Sequence, residues 1–192
     1  MIKHIASRTF PILVAGTIIF FGIYGASQQV LRQGANSLPI ELAENAANAL
    51  NNGEVPAGVV PRAIVDVSQS LSPFVMVFDE HGAVLESSMK MGNESPVPPA
   101  GIFEYVRSHG TDTFTWQPMS GVRLASKMIH FQSAKPLSGG AVSSGFVLAG
   151  HNLREVETEY QRIGLALVAG WVLFVIGVLV ASWCVWFLNR KK

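Results

Sequence analysis

The sequence predicts an α+β protein in which an antiparallel five-stranded sheet with flanking helices is inserted between two transmembrane helices. Three observations predict it. Two apolar runs, 10–26 and 163–188, carry no charge and match the roughly 17 to 25 residues of helix needed to cross a bilayer. Only 14% of the 192 residues are charged and the mean hydropathy is +0.33, whereas about a quarter of a soluble domain is charged. Between the runs, segments rich in β-branched and aromatic residues alternate with helical patterns and with clusters of Gly, Pro, Asn and Asp.

The first run (FPILVAGTIIFFGIYGA) follows a short basic stretch containing Lys3 and Arg8. A signal peptide begins in the same way, but its cleavage site needs small residues at the last and third-last positions. Before Ser27 those positions hold Ala26 and Tyr24, so the run reads as an uncleaved anchor. The second run (IGLALVAGWVLFVIGVLVASWCVWFL) has Trp183 and Trp186 near its far end, where indole rings favour the headgroup region. Arg190, Lys191 and Lys192 follow it, and all thirteen acids lie between the runs, against nine bases, giving that stretch a net charge of −4. Basic residues at both ends place both termini on the cytoplasmic side of the membrane and the middle outside it. The expected division is a cytoplasmic N-terminus at 1–9, a first span at 10–27, an extracytoplasmic domain at 28–162, a second span at 163–188 and a cytoplasmic tail at 189–192.

The outer domain begins as helix. Segment 28–50 has Val30, Leu31, Leu38, Ile40, Leu42 and Leu50 among alanines, reading as a stalk with a bend at Pro39 and a stop at Asn51, Asn52 and Gly53. Segment 61–71 (PRAIVDVSQSL) offers Pro at a first helical position and Ile64, Val67 and Leu71 at helical spacing, predicting a second, shorter helix. Segments 74–78 (FVMVF) and 83–87 (AVLES), joined by Asp79, Glu80, His81 and Gly82, predict a β-hairpin. A Pro-rich loop at 91–100 leads to a helix at 101–109 that ends at Gly110. Three β-rich runs, 111–117, 121–131 and 141–150, then form a meander, with turns at 118–120 and 133–140. Segment 151–162 reads as a helix capped by Asn152, with Glu155 in capping-box position, entering the second span without a breaker.

Several classes of function are disfavoured. A net charge of +1 without an internal Lys/Arg cluster speaks against a nucleic-acid partner. The sole cysteine, Cys184, lies in the second run, so neither an intrachain disulfide nor a thiolate metal site is expected. His81, His109, His130 and His151 are scattered, and no phosphate loop, nucleophile motif or His-x-x-x-His pair occurs. Asp79 and Glu80 fit turn chemistry better than catalysis. No enzyme, cofactor or metal is expected.

The stretch Phe74-Val75-Met76-Val77-Phe78-Asp79-Glu80-His81-Gly82-Ala83-Val84-Leu85-Glu86-Ser87-Ser88 resembles the first hairpin of PAS-like extracytoplasmic sensor domains, called Cache or PDC domains. These stand between two membrane spans in bacterial sensor kinases and chemoreceptors. Gly145-Phe146-Val147-Leu148-Ala149-Gly150, followed by Leu153-Arg154-Glu155-Val156-Glu157, resembles their last strand and the signalling helix after it. The resemblance covers about residues 28–162. It implies a single Cache domain with a ligand pocket between the sheet and the helices on one face. It also implies an output domain after the second span, where this sequence has only Asn189, Arg190, Lys191 and Lys192. Output through a separate membrane protein of a two-component signalling system is therefore expected.

On that implied pocket, Arg123, Trp116, Lys127 and Tyr105 are the candidate ligand-binding residues. An inward Arg123 in a strand needs an anionic partner, and a ligand could supply it. The alternative is that Arg123 and Lys127 share a solvent face while Val122, Leu124 and Met128 face the core. Trp116 and Tyr105 equally suit core or rim positions. Pairs of small residues four apart in the spans (Gly22 and Ala26, Ala166 and Gly170, Gly177 and Ala181) permit close helix approach, in a homodimer or with a membrane partner. The sequence thus predicts a membrane-anchored, extracytoplasmic sensor-like module that takes a small ligand or a partner protein. A non-catalytic structural or assembly subunit of a membrane complex is the alternative. A receptor needs a cavity of about 300 Å³ or more with convergent polar groups, whereas an assembly subunit is filled there by side chains.

Overall fold

A computed structural model describes residues 2–133 and 143–189. The element order is α1 (Ile2–Asn51), α2 (Pro56–Val59), β1 (Val65–Asp66), β2 (Phe74–Phe78), β3 (Val84–Ser87), β4 (Met89–Lys90), α3 (Ala100–His109), β5 (Thr111–Met119), β6 (Val122–Gln132), β7 (Ser144–Asn152) and α4 (Arg154–Asn189). The fold is α+β, as the sequence predicts. β2, β3, β5, β6 and β7 form one antiparallel sheet in the order β3-β2-β7-β6-β5, flanked by helices of which two are long and apolar. The chain divides into two compact units, Arg32–Val156 and the pair Met1–Leu31 with Glu157–Lys192.

In the sheet unit, β2 and β7 are buried on both faces because each face is covered. On one face Phe74, Met76 and Phe78 of β2, Val122, Leu124 and Met128 of β6 and Phe146 and Leu148 of β7 pack with Phe103 and Val106 of α3. On the other, Val75, Val77, Phe131, Val147 and Ala149 meet Ala43, Ala46, Ala47 and Leu50 of α1. The three alanines let the helix backbone approach the sheet closely, and Leu50 fills the end of the contact. α1 ends at Asn51, followed by Gly53 at φ 94°, a conformation that suits glycine. The chain stays helical through Pro39, where the sequence predicts a bend.

The hairpin forms as expected. The Asp79 carboxylate accepts from the N–H groups of His81 and Ala83, both at 2.8 Å, and Gly82 supplies the left-handed residue at φ 81°. α3 and its stop at Gly110 also match. β5 runs to Met119 and includes Pro118, which the sequence places in a turn. An edge strand tolerates the missing donor, and the register shifts between Trp116 and Met119. The expected turn at 133–140 and the start of the strand expected at 141–150 fall largely outside the described residues.

The second helix is a correction. Segment 61–71 contains no helix. Its Val65 and Asp66 instead form β1, parallel to Met89 and Lys90 of β4, and the nearest helix is the single turn of α2. Val65 and Val67 are buried while Ile64 is 65% exposed and Asp66 half-buried, a period of two over 64–67 rather than that of a helix. The Asp66 carboxylate then takes the Ser68 N–H at 3.0 Å and the Ser68 hydroxyl at 2.6 Å, bonds that compete with helix formation.

In the other unit, α1 and α4 are long and apolar enough to cross a membrane. They pair antiparallel. A hydrogen bond of 2.9 Å joins the hydroxyls of Thr9 and Ser182, the Trp171 indole donates to Thr17 at 3.1 Å, and the Tyr160 hydroxyl donates to the Gln28 carbonyl at 2.9 Å. A Cβ on Gly16 would collide with the ring of Phe174, so this glycine makes room for it. The side chains of Lys3 and Arg8, and residues 190–192, on which the expected orientation rests, lie outside the described set.

Candidate functional site

Strand parity decides where the four candidate residues go. Trp116 pairs with Leu124, and both lie on the α3 face. The Trp116 indole N–H donates to the buried Ser126 hydroxyl at 3.0 Å, which ties the edge strand to the core. Arg123 and Lys127 are odd-numbered on β6, sharing the α1 face with Ile129 and Phe131. Arg123 is exposed and Lys127 half-buried, while Val122, Leu124 and Met128 point into the opposite core. Tyr105 lies on α3, 47% exposed and stacked on His109 with ring centroids 4.1 Å apart. The structure therefore does not bring Arg123, Lys127, Trp116 and Tyr105 to one pocket: a sheet lies between the two cations and the two aromatic residues.

A different polar group assembles on the α3 face. The Glu80 carboxylate, in the turn after β2, is 2.7 Å from His130 Nε2 of β6 and 3.6 Å from Arg107 Nε of α3. Arg107 Nη2 also donates to the Glu80 carbonyl at 2.6 Å, and its guanidinium stands 5.3 Å over the Phe146 ring. The His130 and Phe146 rings are 5.0 Å apart. Burial alone pushes the Glu80 pKa up. Hydrogen bonds from Ser144 and His130, the His130 charge and the Arg107 bond outweigh it and hold the carboxyl below the ordinary glutamate value. The cluster is an electrostatic tie among the hairpin turn, α3 and β6. The sequence hides it, because its members stand 27 and 50 residues apart with no common spacing.

Below the aromatic members of that cluster, Phe103 meets Phe78 and Phe146 edge-on at 5.2 and 5.3 Å. These rings fill the space between α3 and the sheet. A cavity of about 820 Å³ lies instead in the other unit, between α1 and α4, lined mainly by apolar groups including Phe20, Phe21, Tyr24, Leu165, Val168 and Trp171. No group of three or more His, Cys, Asp or Glu that could hold a metal occurs among the described residues.

No protein-family model matches the chain, and no curated protein matches it.

Proposed function

We propose that this chain is a two-pass membrane protein whose outer domain is a PAS-like, Cache-type sensor module. In this reading the domain takes a small ligand or a partner protein and acts on a separate membrane signalling protein. Its termini are cytoplasmic and it performs no catalysis itself. One observation carries the proposal: only Leu153 separates β7, in the middle of the sheet, from α4, which runs on as one of the two long apolar helices. α1 is likewise continuous from its apolar stretch to Leu50 in the sheet's core. A change in the packing of β7 would reach α4 through that single residue. Numbered within the sheet, the strand order is 2-1-5-4-3, with the first and last strands adjacent, and this supports the PAS-like reading.

A thermal-shift screen of the full chain in mild detergent against amino acids, organic acids and nucleobases tests it. A ligand at a hundredfold its Kd should add about 2.7 kcal/mol of stability. The assembly-subunit reading is favoured by the filled core around Phe103 and by the separation of the four candidate residues onto two faces. A silent screen, together with a stoichiometric membrane complex surviving gentle solubilisation, would decide for it.

A further inference from the structure

The turn at 66–70, which the sequence predicts as helix, touches the first residue of α4. Asn152, the last residue of β7 and only 3% exposed, has both ends of its amide engaged. Its Oδ1 accepts from the Arg154 N–H at 2.8 Å, which satisfies the first N–H of α4. Its Nδ2 donates to the Val67 carbonyl at 2.7 Å, and Arg154 Nη2 donates to the next carbonyl, Ser68, at 2.6 Å. The Arg154 N–H needs only the Oδ1 bond. The two donations to consecutive carbonyls do something else: they fix the start of α4 to a turn some 86 residues earlier in the chain.

That turn is itself clamped. Asp66 holds Ser68 through the two bonds described above. The Val65 N–H donates to the Ser88 carbonyl at 2.7 Å and the Val67 N–H to the Lys90 carbonyl at 3.0 Å, while the Val67 side chain is fully buried. At the junction, the Leu153 N–H donates to the Arg123 carbonyl at 2.8 Å.

We propose that the Asp66 turn is a latch on the β7–α4 junction. While its Val67 and Ser68 carbonyls hold Asn152 and Arg154, the first turn of α4 keeps one position on the sheet; when the turn opens, that first turn is released. The purpose of the latch rests on the transmitter function proposed above, because α4 continues into an apolar span. Its existence does not.

Reciprocity is the test, read by amide hydrogen exchange on the full chain in lipid nanodiscs. Arg154→Ala leaves the Asn152 Oδ1 bond in place and should speed exchange at 67–70 by about fivefold, the effect of one lost hydrogen bond. Asn152→Asp, which keeps the accepting oxygen and removes the donor, should do the same. Asp66→Ala should speed exchange at 154–157 by a similar factor, with β2, β6 and β7 unchanged. If each substitution loosens only its own segment, or if the whole sheet loosens, the latch is overturned. Reciprocal exchange with no change in cross-linking between the spans would keep the latch and remove the transmitter.

Discussion

At the residue scale, the sheet unit is held by groups that titrate in two separate windows, and their signs can be worked out. Burial lowers the His151 pKa, against the opposing charge of Glu155. Between the lowered folded value and the ordinary 6.5, the unfolded chain binds the proton that the fold refuses, so stability falls as pH drops below about 6.5. Glu80 has its pKa lowered from 4.5, so its contribution is present above about that pH and is lost as pH falls through the folded value. The loss of stability with acid should therefore come in two steps. His151→Gln should flatten the melting-temperature profile below pH 6.5 and leave the more acidic limb. Glu80→Gln should lower the melting temperature at pH 7, with the difference from the parent closing as pH falls below about 4.5. Thermal scans of the full chain in detergent from pH 3.5 to 8 read both steps, with those pH limits chosen to bracket ordinary Glu and His values. A profile that neither substitution alters would assign the acid sensitivity elsewhere.

At the element scale, α1 meets the sheet through Ala43, Ala46 and Ala47, and the close approach depends on their small size. Ala43 is fully buried, so Ala43→Leu must push the helix from Val75, Val147 and their neighbours, at a cost of roughly 1–3 kcal/mol. Denaturant titration of the full chain should show that loss, while Ala49→Leu, at a half-buried position outside the packed set, should cost less. The same elements explain what could be read from sequence. The hairpin was legible because five consecutive apolar residues met Asp79 and Gly82, a turn signal with a mechanism, and α3 because it ended at Gly110. Segment 61–71 misled because Ile64, Val67 and Leu71 fit a helical period, whereas the packing uses Val65 and Val67 alternately and Asp66 bonds locally to Ser68. Parity along β6 was legible from its alternation. That Trp116 would share its face with Leu124 depends on the β5–β6 register, which local sequence does not encode. The tie of Glu80, Arg107 and His130 needed three elements in place before it existed at all.

At the scale of the whole molecule, the pairing of the two apolar helices combines polar contacts with one steric fit. Across the pair, the Thr9 and Ser182 hydroxyls and the Thr17 hydroxyl with the Trp171 indole N–H meet in only one register of the antiparallel helices. Gly16 adds shape by admitting the Phe174 ring, which lies 6.0 Å from Phe20 between centroids. A Thr9→Cys, Ser182→Cys chain with Cys184→Ser should thus form an intramolecular disulfide under mild oxidation in membranes, because the native hydroxyls are only 2.9 Å apart. Adding Gly16→Leu should wedge Phe174 outward and cut the cross-link yield several-fold, while Gly25→Leu, whose Cβ would meet nothing within 4 Å, should leave it intact. The Cys184→Ser chain, which has no cysteine, is the background that tests the orientation. His81→Cys in the hairpin turn should react with an impermeant maleimide from outside the cell, and a cysteine at Thr9 should react only after lysis. Labelling of Thr9→Cys from outside would reverse the topology, and a cross-link insensitive to Gly16→Leu would show that the polar pairs alone set the register.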